Sequence, residues 1–211
     1  MDMTSWVIIG VFIFMSYFMG SYPSGHLIGR FFAGIEIQDN GSGKGGTTNV
    51  MRTTKDVMLG LIVGAIDVGV KGAFWMFMVH IVFVNLHWVA FVCFAVVLLG
   101  HVFPLLTNFK TGGAGVATVL GGSLTFVNGF AYLLAAAAWI LVFYLSKGIR
   151  SLCNMVAVAV LLFSGVFFNF SWEFLLFAIF ATGLVVFAHR SNIKRIRQGK
   201  EDRSTWKWKR V

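Results

Sequence analysis

Charge is scarce in this chain. Only 12% of its 211 residues are Asp, Glu, Lys or Arg, whereas 58% are hydrophobic, including 23 Phe and 7 Trp, and the mean hydropathy is +0.82. Soluble domains carry about 25% charged residues, so this balance excludes one and places the chain in a bilayer. Cysteine is sparse as well. Cys93 and Cys153 each sit alone in an apolar run, which excludes a disulfide framework or a thiolate metal site and reads as two buried, inert thiols. No basic residue precedes the first apolar run and residues 21–24 offer no small-x-small cleavage site. A retained helix is expected there, not a signal peptide.

One further absence concerns a loop that looks like a nucleotide site. The stretch DNGSGKGGTTNVMR, residues 39–52, has a Gly-Lys pair, but Gly45 stands where a Walker A loop needs Ser or Thr, and Gln38 stands where it needs its first glycine. The hydroxyl that would ligate magnesium is missing, so ATP binding is not supported. Several small residues beside Lys44, Asn49 and Arg52 can still wrap an anion with backbone N–H groups.

What is present is a series of apolar runs, at 6–20, 57–80, 88–106, 116–127, 130–146, 152–168 and 172–188. Most approach the ~20 residues a spanning helix needs. Of the 17 Lys and Arg, nine lie in 189–211; Arg30, Lys44, Arg52 and Lys55 share the first long loop, Lys110 the next, and Lys147 with Arg150 a short one. The positive-inside rule puts all four segments on the cytoplasmic side and the N-terminus outside. The positive charge is thus assigned to a membrane surface, and no nucleic-acid partner is expected. Parity then demands an odd number of crossings. The predicted architecture is all-α, one polytopic membrane domain over 1–211 with about seven transmembrane helices and a basic cytoplasmic tail at 189–211. The run at 116–127 forms a short arm, tilted or re-entrant, that turns at Asn128-Gly129.

Two glycine-rich loops, 34–54 and 109–118, fall on the same cytoplasmic side. Irregular backbone at membrane depth needs cover from protein or a water cavity, so a site at that face is expected, the alternative being that the glycines serve helix packing or loop flexibility. Asp67 and Lys71, four apart in an apolar setting, share a helix face and can neutralise each other. The pair serves either function, as ions in a membrane usually do, or structure alone. Pro104 should break the third helix near its cytoplasmic end and aim His101 and Lys110 toward the same surface; the alternative is a His101 simply satisfied at the headgroup interface. His189-Arg190-Ser191-Asn192 leaves the last apolar run as part of that site or as an anchor on anionic lipid.

Five blocks carry a resemblance: GSYPSGHLIGR, NGSGKGGTTNVMR, DVGVKG, GHVFPLLTNFKTGGAGVAT and HRSNIKRI with a trailing glycine and acidic residue. In order and spacing they resemble the acyl-phosphate:glycerol-3-phosphate acyltransferases, the PlsY family, over residues 19–201. The resemblance implies a seven-helix membrane enzyme of phospholipid synthesis that moves a fatty acyl group from acyl phosphate to the 1-hydroxyl of glycerol 3-phosphate, giving lysophosphatidic acid, with no cofactor and no metal. Acyl phosphate, glycerol 3-phosphate and membrane lipid are the implied partners; oligomeric state is left open. No serine nucleophile with His and Asp partners is visible, in keeping with the family's direct transfer. Position by position, Ser42, Gly43, Gly46, Thr48, Asn49 and Arg52 match the first-loop pattern, and His189 and Asn192 the last. Ser42, His189 and Asn192 are the implied catalytic set and the others phosphate contacts.

Two departures stand out. Lys44 replaces the family's usual Asn, with a different residue at Gly45. The second loop has one residue more than the pattern and Ala114 where the family has its phosphate-binding lysine. Either Lys110 or Lys44 supplies that charge, or the chain is a diverged relative that binds or moves a lipid without catalysis.

Overall fold

The computed structural model describes residues 2–109 and 112–203, and every regular element among them is helical. Helix α1 (Met3–Ser21) starts at Asp2, whose carboxylate accepts the Ser5 N–H at 3.0 Å. It is apolar on all sides, the pattern of a helix with no aqueous face. Pro23 turns the chain into α2 (Ser24–Ala33), which ends at Gly34 in the left-handed region, φ 63°. The first glycine-rich loop leads to α3 (Thr47–Thr54). Asp56 then caps α4 (Val57–Ala65), accepting N–H groups of Met58 and Leu59 at 2.7 and 3.2 Å. A π-helical stretch, Ile66–Phe74, joins α4 to α5 (Trp75–Val82), so that Val57–Val82 is one continuous helix.

Helix α6 (His87–Val102) is the axis of the bundle, with Phe94, Val97 and Leu98 fully enclosed. It packs along α1 and against α10, where Phe94 stacks on Phe177 at 4.6 Å. After the second glycine-rich loop come α7 (Val116–Ser123), α8 (Gly129–Leu145), α9 (Arg150–Phe168), α10 (Trp172–Ala188) and α11 (Arg190–Arg197), the last bent 59° from α10. Phe14, Phe77, Leu133, Leu141, Phe167 and Trp172 point outward and are exposed. So many bare apolar side chains require hydrocarbon as the solvent.

Met3–Ala33, Val57–Val82, His87–Thr107 and Arg150–Phe168 are long and apolar enough to cross a bilayer, the bent α10–α11 pair makes a fifth candidate, and α8 has 17 residues. The expected short arm is shorter still. Helix α7 holds eight residues and gives way after Ser123, where Val127 N–H turns back to the Ser123 carbonyl at 2.8 Å. Eight residues rise about 12 Å, less than half of a hydrocarbon core of about 30 Å. What holds α7 in place is backbone contact. A Cβ on Gly121 would collide with the Val68 backbone, and one on Gly72 would press on Gly121 and Gly122. Small residues let two helices approach this closely inside a membrane, and here the close approach fixes the π-helical stretch against α7. Cys93 and Cys153 are both buried free thiols.

Candidate active site

The first glycine-rich loop is tied down by its own helix. Asn49, in the first turn of α3, accepts the Ser42 N–H on Oδ1 at 2.8 Å and donates Nδ2–H to the Asn40 carbonyl at 3.1 Å. Both polar ends of Asn49 therefore shape the loop. Gly43 holds the turn with φ 71° and donates its N–H to Asn40 O at 3.1 Å. From the shaped loop Lys44 reaches across to the other end of the chain. Its Nζ donates to Ala188 O at 2.6 Å and to Asn192 Oδ1 at 2.9 Å. Ala188 is the last residue of α10, and a helix C-terminus attracts a cation. Burial, and then the like charges of Arg195 and Arg190, pull the Lys44 pKa down to about 8, with Glu201 opposing them.

Asn192 completes a second set of contacts. Its Nδ2–H donates to Glu201 Oε1 at 2.7 Å, an oxygen that also accepts Ser151 Oγ–H at 2.8 Å, while Arg195 Nε–H donates to Oε2 at 2.6 Å. Burial alone would raise the Glu201 carboxyl, but the hydrogen bonds from Asn192, Ser151 and Arg195 hold it below the usual carboxylate range. Beside it, His189 donates Nδ1–H to Val185 O at 2.8 Å, which leaves Nε2 with the lone pair. Burial keeps this ring below the usual imidazole range despite that bond. Arg52, on α3, pairs with Asp202 at 2.9 Å.

These groups line one cavity of about 140 Å³. Ser42, Lys44, Gly46, Thr48, Asn49, Arg52, His189 and Asn192 are all in its wall, so eight of the ten residues expected from the sequence converge. Gly43 shapes the loop without forming part of that wall, and Lys110 lies outside the described residues. Ala114 is also in the wall, so the position that departs from the family's lysine and the lysine gained at 44 face the same space. Sequence reasoning passed over Arg150, Ser151, Asn154 and Asp202, which line the cavity too. A signal was available: Ser151 and Asn154 stand three apart at the start of an otherwise apolar helix, one polar face among hydrophobic ones.

Deeper in, the Asp67–Lys71 pair forms with 2.7 Å between Oδ1 and Nζ, both side chains almost fully buried. Ser24 Oγ–H donates to Asp67 at 2.7 Å and accepts from Lys71 at 3.1 Å. His101 Nδ1 lies 3.5 Å from Lys71 Nζ and 3.3 Å from Thr118 Oγ1. Asp67 and His101 reach the cavity wall, so this network, drawn from α2, the π-helical stretch, α6 and α7, is its floor. The second loop closes over it, since any side chain on Gly113 would collide with the His101 ring. Its glycines thus serve packing at that point. Lys44 bonds only neutral oxygens and Arg150 has no ion pair among the described residues, whereas Asp67, Glu201 and Asp202 each have a cation beside them. The cavity therefore suits an anion. No three His, Cys, Asp or Glu side chains cluster as a metal site among the described residues.

Comparison with known proteins gives the same direction. A family model described as glycerol-3-phosphate acyltransferase matches residues 10–199. The chain is 34% identical to the glycerol-3-phosphate acyltransferase of Bacillus subtilis (strain 168), covering 95% of this chain and 100% of that one. It is 36% identical to that of Thermosynechococcus vestitus, covering 95% and 97%. Among solved structures, it superposes with a TM-score of 0.81 on PlsY (YgiH), an integral membrane glycerol 3-phosphate acyltransferase, in its glycerol 3-phosphate form, at 27% identity over 93% of this chain and 96% of that one. Against the lysophosphatidic acid form of PlsY the TM-score is 0.82 at 28% identity, covering 93% and 95%.

Proposed function

Because the chain belongs to the glycerol-3-phosphate acyltransferase family, we propose that its cavity takes acyl phosphate and glycerol 3-phosphate together and transfers the acyl group between them, releasing lysophosphatidic acid and inorganic phosphate. The protein is a multi-pass membrane acyltransferase. The reading is carried by one observation: Lys44 from the first loop and Arg52 on α3 meet His189 and Asn192, some 140 residues later, around a single anion-suited cavity.

Acyl phosphate is already activated, so the protein's task is to hold two anions against their repulsion and to stabilise charge as the carbonyl is attacked. Arg52 suits a phosphate because its guanidinium can grip two oxygens at once. Lys44 and Arg150 add charge on other sides of the cavity, and the free N–H groups at the start of α3, next to Gly46 and Thr48, add dipoles. The 1-hydroxyl of glycerol 3-phosphate attacks the acyl carbon; the new ester C–O bond forms as the bond to the phosphate oxygen breaks. The hydroxyl proton passes to the departing phosphate, with Ser42 and the lone pair of His189 Nε2 placed to orient the hydroxyl. The N-terminus lies outside and the segment from His189 onward in the cytoplasm, following the basic loops.

Release of inorganic phosphate by purified protein given palmitoyl phosphate, with and without glycerol 3-phosphate, tests the reading. Acceptor-dependent release is expected. Ala114 in the wall favours a second reading, a relative that binds an amphiphile without turnover, and absence of acceptor-dependent release would decide for it.

A further inference from the structure

Glu201 follows α11, and its side chain is 7% exposed. Its carboxylate gathers donors from two elements: Ser151 at the start of α9, and Asn192 and Arg195 on α11. An Asn amide has one donating and one accepting end of nearly the same shape, and its neighbours decide which way it faces. An ionised carboxylate can only accept, so Glu201 claims the Nδ2 end. Oδ1 must then face the other way, and there it meets Lys44 Nζ at 2.9 Å. The chain of contacts runs from Glu201 through Asn192 to the ammonium that the family pattern does not have.

We infer that Glu201 is a positioning residue for the transfer site: by fixing the amide of Asn192 it presents an acceptor oxygen to Lys44 and parks the ammonium in the cavity that Ala114 also lines. The inference rests on reading that cavity as the acyl-transfer site. The same carboxylate pairs with Arg195, the charge that opposes the Lys44 ammonium most, so one side chain both holds the lysine's partner and offsets that like charge. Of the charged groups around Lys44, those that move its titration are Arg195 and Arg190 on α11 and Glu201 beyond it; His189 lies alongside, and Arg150 and the Arg52–Asp202 pair lie elsewhere in the cavity wall. Glu201 supplies the negative charge in that set. Its neutralisation leaves the ammonium among cations and displaces its titration to lower pH.

Two readouts test this. Labelling of Lys44 with an amine-acylating reagent across pH, followed by mass spectrometry, gives its titration midpoint whether or not the protein turns over. The midpoint should fall in Glu201→Gln, which keeps an oxygen for Asn192 and Ser151 but loses the charge. In kinetics, Glu201→Ala should lower kcat/KM for glycerol 3-phosphate roughly ten- to a hundredfold, the loss of a charged hydrogen-bond network, and Glu201→Asp should recover part of it. Because Glu201 acts through Lys44, Glu201→Ala should cost nothing further in a Lys44→Ala background. An unchanged Lys44 midpoint in Glu201→Gln, or additive losses in the double variant, overturns the inference. If Glu201→Ala does not fold, Glu201→Gln carries both measurements. A parent protein without acceptor-dependent turnover refutes the acyltransferase reading instead, and the labelling result then decides the positioning role alone.

Discussion

Arg52 Nη1 and Asp202 Oδ2 stand 2.9 Å apart in the cavity wall, with the arginine side chain 41% exposed and the aspartate 70%. In the proposed site the carboxylate occupies the place on Arg52 that a substrate phosphate would take. An exposed pair of this kind is worth about 0.2–1 kcal/mol, and a phosphate that engages the guanidinium with two oxygens displaces it. Asp202→Asn should therefore lower the KM for glycerol 3-phosphate, by roughly 1.5- to 5-fold, with kcat little changed and the gain shrinking at high salt. Arg52→Ala should do the opposite, costing about 1.5–3 kcal/mol or roughly ten- to a hundredfold in kcat/KM in a protein that still folds. Steady-state kinetics with varied acceptor checks both. If Arg52→Ala keeps normal acceptor dependence, Arg52 is not a phosphate contact.

The depressed Lys44 pKa sets a limit on the alkaline side. A lysine whose pKa is lowered to about 8 carries its charge below that pH and loses it as pH rises through it, so the contribution of its ammonium to anion binding disappears in that window. Acceptor affinity should weaken between about pH 7 and 9, a unit on either side of the titration. In Lys44→Ala that component of the profile should be absent, leaving a weaker but flatter dependence. A parent profile that stays level up to pH 9 would show that Lys44 is not used.

Charge can be moved between the two loops. Lys44 and Ala114 line the same cavity, and a lysine's flexible stem lets its ammonium reach one phosphate from different backbone positions. Lys44→Ala should reduce phosphate release by roughly tenfold or more, the scale of a charged hydrogen bond, and Ala114→Lys added to it should restore part. The double variant is the informative one, since it moves the charge to the position where the family pattern carries its lysine. Full activity of Lys44→Ala alone would mean that the ammonium is bystander charge near lipid headgroups.

Much of this site was legible in the sequence because its blocks are short, polar and set in an apolar chain, where each departure from hydrophobicity calls for a reason. Helix positions followed for the same reason. The roles within the site were less legible. Asn49 matches a site pattern, yet both ends of its amide are spent on the Ser42–Asn40 loop, and no one-dimensional pattern tells an anion contact from a loop brace. The Ser151 and Glu201 contact joins residues 50 apart and depends on how α10 bends into α11. The π-helical register at Ile66–Phe74 was hidden too, because Asp67 and Lys71 can pair four apart in an ordinary helix; only the close approach of α7 through Gly72, Gly121 and Gly122 reveals it.

The orientation proposed from the basic loops can be checked directly. A cysteine placed at Thr4 should react with an impermeant thiol reagent in intact cells, and one at Lys200 only after permeabilisation. Reversed labelling would put the cavity on the wrong side for a cytoplasmic phosphate ester.

The buried pair beneath the cavity separates support from chemistry. Asp67 and Lys71 lie 2.7 Å apart with side chains only 2% and 3% exposed, and Ser24 bonds both. Removing one charge of such a pair leaves the other uncompensated and costs about 3–5 kcal/mol, whereas replacing both with apolar groups of similar size is often close to neutral. Asp67→Leu and Lys71→Met should each lower the Tm strongly in detergent, and the double variant should recover much of the loss. Strictly additive losses would mean that the pairing is not what stabilises the pair. The double variant then reports on function. His101 loses Lys71 as a neighbour at 3.5 Å but keeps Thr118, and the cavity changes only at the Asp67 position on its floor, while Lys44, Arg52 and Arg150 in its wall are untouched. If the folded double variant transfers acyl groups at the parent rate, the pair is a packing device that anchors α2 to the π-helical stretch. If it binds glycerol 3-phosphate normally and turns over slowly, the ions on the cavity floor contribute to the transfer step itself, as intramembrane charges commonly do.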